Sequence, residues 1–169
     1  MDDTQRLRED RLVFYREELV RIDGILDELI KLSGAKCSLL IDKDGHLVTR
    51  TGAMKDFDLD TIAALVAGSF AATREMARVL GEEEFSVLFH QGHKGSIQLS
   101  LVGERTILAV IFNDQTTVGM VRLYTLEASN KITELFKSLV GRHRDAAVEL
   151  APDYAESGKE RLDSLFPKS

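Results

Sequence analysis

Apolar positions at the start of the chain recur at spacings of three and four. Leu12, Tyr15, Leu19, Ile22, Leu26 and Leu29 make one stripe, and charges such as Arg16, Glu17, Glu18, Asp27 and Lys31 fill other positions. That period belongs to a helix. One long helix is predicted from about Gln5 to Leu32, with Gly34 as its C-terminal cap. The pattern then shortens. In LLIDKDGHLVTRTG, Leu39 to Gly52, two apolar runs flank Asp42-Lys43-Asp44-Gly45. This predicts a β-hairpin with Gly45 at positive φ. The turn resembles a calcium loop only superficially. With Gly45 placed sixth, the first ligand would fall on Leu40 and the last on Thr51, and neither offers a carboxylate.

A second helix is predicted from a cap at Asp58 to Leu80, before Gly81. Its broad apolar face reads as Ile62, Leu65, Val66, Thr73, Met76 and Leu80. The opposite face carries Ala64, Ala67, Gly68 and Ala71, with Arg74, Glu75 and Arg78 only in the later turns. A face that met only water would be charged throughout. A small, flat face instead lets another backbone approach. Three strands follow: Phe85 to Phe89, the alternating IQLSL, and TILAVIF. The last is apolar throughout, so it is expected at the centre of the sheet, covered on both faces. A third helix is predicted from Thr116 or Thr117, with a stripe of Val118, Val121, Thr125, Ala128, Ile132, Leu135 and Leu139, ending at Gly141.

The order helix, two strands, helix, three strands, helix predicts the α+β class, with helices packed on one five-stranded antiparallel sheet. Residues 1–141 form the expected domain. Residues 142–169 hold both prolines, Pro152 and Pro167, and many charges, and read as a flexible tail. Within it, RLDSLF sets Leu162, Leu165 and Phe166 on one side of a short amphipathic helix. That patch either folds back on its own domain or docks on a partner.

Composition narrows the function. A chain of 169 residues suits one domain with a proper core. The net charge of −6 comes from mixed charges without a basic stripe, which argues against nucleic acid. The longest apolar run, Ile107 to Phe112, is too short to span a membrane, and MDDTQRLRED has no signal-peptide core. Cys37, the only cysteine, allows no intrachain disulfide and no cysteine metal cluster. It reads as a small core residue in a reducing cytosol. HQGHKGS lacks the order and spacing of a phosphate-binding loop, and no dinucleotide fingerprint follows a strand. His90 and His93 could share a metal but have no obvious third ligand. His46 and His143 read as exposed turn residues, and Glu82-Glu83-Glu84 as a solvated loop. No catalytic centre, metal or cofactor is therefore expected, and the residues point to a binding module.

Three segments carry a resemblance: AKCSLLIDKDGHLVTRTG, DLDTIAALVAGSFAA and ILAVIFNDQTTVGMVRLY. Together, in this order, they resemble the roadblock/dynein light chain superfamily, specifically its bacterial MglB-type members. The similarity covers about Leu19 to Leu139, and the tail ending in RLDSLF also resembles the MglB-type C-terminus. The N-terminal extension before about Arg11 departs from the pattern. The resemblance implies a roadblock-like sandwich that forms a homodimer, with sheets and second helices joined across a two-fold axis. It implies a GTPase-activating protein, without a catalytic centre of its own, for an MglA-type Ras-like small GTPase in cell polarity and motility control. Two protomers would bind one GTPase and reposition its switch residues, inserting no arginine finger. The contact helix carries over onto Ala64, Ala67, Gly68 and Ala71, with Arg74, Glu75 and Arg78 at the rim. A cytoplasmic location, enriched at a cell pole, goes with that role. A non-catalytic roadblock adaptor and a small-molecule sensor are the alternatives.

Overall fold

The computed structural model describes residues 16–165 apart from Asp56, and side chains as far as Gly141. The element order is α1 (Arg16–Ser33), β1 (Cys37–Asp42), β2 (Leu47–Gly52), α2 (Leu59–Leu80), β3 (Val87–Gln91), β4 (Ser96–Val102), β5 (Thr106–Phe112) and α3 (Val118–Leu165). The order of elements is the expected one; the start of α1 before Arg16 lies outside the described residues. Gly34, at φ +71°, ends α1 and donates its amide to the Ile30 carbonyl at 3.1 Å.

All five strands pair antiparallel in the order β2-β1-β5-β4-β3. The run TILAVIF is β5, in the middle, and six of its seven residues are buried. Leu39, Ala109 and Leu99 stand side by side across β1, β5 and β4. They share one face and pack with Ala63, Val66 and Phe70 of α2. Leu40, Leu108 and Val110 point to the other face. There Asp23 and Asp27 of α1 accept hydrogen bonds from Thr49 and Thr51 of β2. Thr49 and Thr51 stand opposite Leu40 and Ser38 in the ladder, which fixes α1 on that side. Early α3 lies beside α1: Lys131 Nζ bonds Glu28 of α1 at 2.8 Å and Glu127 at 3.0 Å. These two carboxylates raise the Lys131 pKa. The sheet is thus sandwiched between α2 and the pair of α1 and early α3, and burial on both faces explains why β1 and β5 are apolar without alternation.

Cys37 is fully buried in the α2-side core, and burial pushes its thiol pKa up to about 11. Two compact units divide the chain, residues 1–133 and 134–169. In the second, Lys137 pairs with Glu134 at 3.0 Å. The helix α3 corrects one expectation. Gly141 does not end it, and the helical backbone runs on to Leu165. A glycine stops a helix by turning left-handed; Gly34 and Gly81 do so, and Gly141 is not among the glycines with positive φ. In ordinary helical geometry, glycine only weakens a helix, by about 1 kcal/mol.

Candidate partner-binding surface

The helix α2 is set at both ends by local chemistry. Asp58 caps its start, accepting from the Thr61 amide at 3.2 Å and the Thr61 hydroxyl at 2.6 Å. Those hydrogen bonds hold the Asp58 carboxyl below its usual pKa. Gly81 closes the other end at φ +79°. Between the caps, the helix buries Ala63, Val66, Ala67, Phe70, Thr73 and Ala77. The expected apolar face is therefore rotated. Leu65, Met76 and Leu80, read as core, are 66%, 56% and 71% exposed, as is Val79 at 84%. Alanine makes the difference. It counts as neither clearly apolar nor polar in a periodic pattern, yet small alanines let α2 settle close on the sheet while its larger side chains point outward.

The rotation separates the predicted contact residues. Ala67 is buried, contrary to its assignment to an outward face, because the β1–β2 turn covers it. A Cβ placed on Gly45 would lie 3.1 Å from the Ala64 Cα and 3.7 Å from the Ala67 Cβ. Gly45 itself has φ +92°, as the hairpin reading predicts. Ala64, Gly68, Ala71, Glu75 and Arg78 are exposed, at alternating spacings of four and three, so they line one strip of the helix surface. Arg74 is exposed beside that strip and pairs with Glu84 at 3.5 Å. Arg78 pairs with Glu75 on its own helix. A second strip, Leu65, Ala72, Met76 and Val79, runs next to the first and is apolar. Sequence periodicity did not distinguish these two surfaces.

Other predicted positions lie elsewhere. His90 is on edge strand β3 and His93 in the turn after it. Also on β3, Val87 and Phe89 are 42% and 40% exposed, and Phe89 stacks on Phe112 with ring centroids 6.0 Å apart. His93 and Lys94 help line an open groove of about 560 Å³ that also takes in Asn113 and Thr117. The tail residues Leu162 and Leu165 have helical backbone, but their side chains lie outside the described residues, as does Phe166 altogether.

Comparisons with known proteins agree on the fold and its relatives. The family model for the Roadblock/LC7 domain matches residues 21–112. MglB of Myxococcus xanthus is 41% identical, superposes with a TM-score of 0.72, and is matched over 96% of its chain and 76% of this one. The gliding protein MglB of Thermus thermophilus is 33% identical at the same TM-score, over 96% of its chain and 75% of this one. An uncharacterised protein of Methanocaldococcus jannaschii is 29% identical over 115 residues, which are 99% of its length and 68% of this chain.

Proposed function

The chain belongs to the Roadblock/LC7 domain family, and from that premise we propose that it is an MglB-like activator of a Ras-like small GTPase, acting as a homodimer. The observation that carries this reading is the doubled outer surface of α2. One strip is apolar and holds side chains as exposed as Val79 at 84%. Left in water, such a row is unfavourable, and a second copy of the same helix is its natural cover. The apolar Val87 and Phe89 lie on the open edge strand β3, on the sheet face away from α2, and form a separate exposed apolar edge.

The adjoining strip of Ala64, Gly68 and Ala71 has little side chain and ends in the charges of Glu75 and Arg78. A bare strip with a charged rim suits a partner that docks closely but reversibly. In this reading the partner's switch loops rest there, and their catalytic arrangement is stabilised by contact. The protein supplies no reacting group. In this reading Arg74 and Arg78, which pair with Glu84 and Glu75 at the surface, act as rim charges rather than inserted fingers. Leu162, Leu165 and Phe166 of the C-terminal segment add a secondary docking patch. The setting that goes with this role is an MglA-type GTPase controlling polarity and motility from the cytoplasm at a cell pole.

Binding should depend on nucleotide, because a GTP-like state orders the switch loops that α2 would read. Titration of the chain into the GTPase loaded with a non-hydrolysable GTP analogue should give the tighter complex. Equal affinity for the GDP form would instead indicate an adaptor that only scaffolds.

A further inference from the structure

The β1–β2 turn is built more firmly than a surface loop requires. Asp42 Oδ1 accepts from the amides of Asp44 and His46, both at 2.9 Å, and His46 Nδ1 lies 3.2 Å from Asp42 Oδ2. The Lys43 amide donates to the Arg105 carbonyl at 2.9 Å, tying the turn to the start of β5. Gly45 then brings the turn into backbone contact with Ala64 of α2, and only a residue without Cβ fits that approach at φ +92°. The outcome is a rigid tip that exposes Lys43, Asp44 and His46 directly beside the exposed Ala64.

We infer that this tip is a specificity element of the GTPase-binding surface, a charged wall at the Ala64 end of the bare α2 strip. The inference rests on the function proposed above and deepens it. Continuity selects the occupant. A protein lying on Ala64, Gly68 and Ala71 meets the tip at one end, as it meets Glu75 and Arg78 at the other. Chemistry selects it too. A second copy of the chain has the apolar strip as its seat, whereas ionisable side chains of mixed sign on a fixed frame suit a reversible, charge-selected partner. Mixed sign also discriminates between related GTPases, since a like charge opposite either residue repels.

The test reverses the charges with Lys43→Glu and Asp44→Lys, singly and together. Both side chains are exposed, and the hydrogen bonds of the turn use their backbone amides and the Asp42 carboxylate. The probe is the Ras-like GTPase of the same organism, loaded with a non-hydrolysable GTP analogue. The expected result is an association rate lowered by about tenfold or more, with a changed salt dependence. The hydrolysis rate with GTP, once the complex is saturated, should stay within about twofold, because the tip selects the partner and does not organise its chemistry. Unchanged association for both reversals overturns this inference and leaves the proposed function standing. A changed oligomeric mass in the variants also overturns it, by placing the tip between copies of the chain. Failure of the wild-type chain to bind the GTPase at all overturns the function and this inference together.

Discussion

Gly68 offers a test in which stability and binding should move in opposite directions. It lies in the middle of α2, exposed, and a Cβ built there meets no atom within 4 Å. Nothing in the protomer requires its bareness. A glycine in a helix interior costs about 1 kcal/mol relative to alanine. Gly68→Ala should therefore stabilise the fold by roughly 0.5–1 kcal/mol. For a chain of this size that raises the melting temperature by about 1–4 °C. Gly68→Leu keeps a good helix former but stands a branched side chain on the strip. If the partner packs directly on that strip, the intrusion should cost about 1–3 kcal/mol of contact. Affinity for the GTP-analogue form should then fall roughly five- to more than a hundredfold, at tenfold per ~1.4 kcal/mol. Thermal unfolding followed by circular dichroism and calorimetric titration against the loaded GTPase give the two readouts. Wild-type affinity in Gly68→Leu would refute the assignment of the strip to the partner. A loss of stability in Gly68→Ala would refute the claim that the site is open helix.

Ala67→Arg should behave differently from Ala71→Arg. The first forces a long charged side chain into the seat of the β1–β2 turn and should lower stability by about 1–3 kcal/mol in denaturant titration; the second should leave unfolding unchanged and weaken binding. Arg74→Ala and Arg78→Ala should retain stimulation of hydrolysis within roughly tenfold in a turnover assay, because exposed ion pairs contribute only about 0–1 kcal/mol and an inserted finger would be worth ~10³–10⁵ in rate. Cys37 supplies a pH signature. Burial raises its pKa from 9.0 to about 11, so the folded state favours the protonated thiol. Its contribution to stability is complete below pH 9 and lost as pH climbs through 11. The difference in denaturant midpoint between wild type and Cys37→Ala should shrink over that interval.

Much of this fold could be read from the chain because its signals are local. Gly34, Gly45, Asp58 and Gly81 each mark a cap or turn through backbone chemistry that neighbours do not change. The strand TILAVIF is apolar on both sides and so declares itself central. The rotation of α2 could not be read, because Leu65, Met76 and Leu80 satisfy a core pattern as well as Val66 and Phe70 do. Only the sheet decides which row is buried, and intersubunit surfaces use the same side chains as cores. Ala67 failed for a related reason. Its smallness serves an intramolecular neighbour, Gly45, far earlier in the sequence. Strand order, with β1 between β2 and β5, also depends on long-range pairing that periodicity does not encode.

The central claim is activation of a partner's chemistry, and single-turnover GTP hydrolysis by the cognate Ras-like GTPase measures it directly. The GTPase is loaded with GTP, mixed with an excess of this chain, and phosphate release is followed against the GTPase alone. The account predicts clear acceleration by the wild-type chain, retained in the Arg74→Ala, Arg78→Ala double variant and lost in Ala71→Arg. An unchanged hydrolysis rate in the presence of a saturating, stably bound wild-type chain would contradict it.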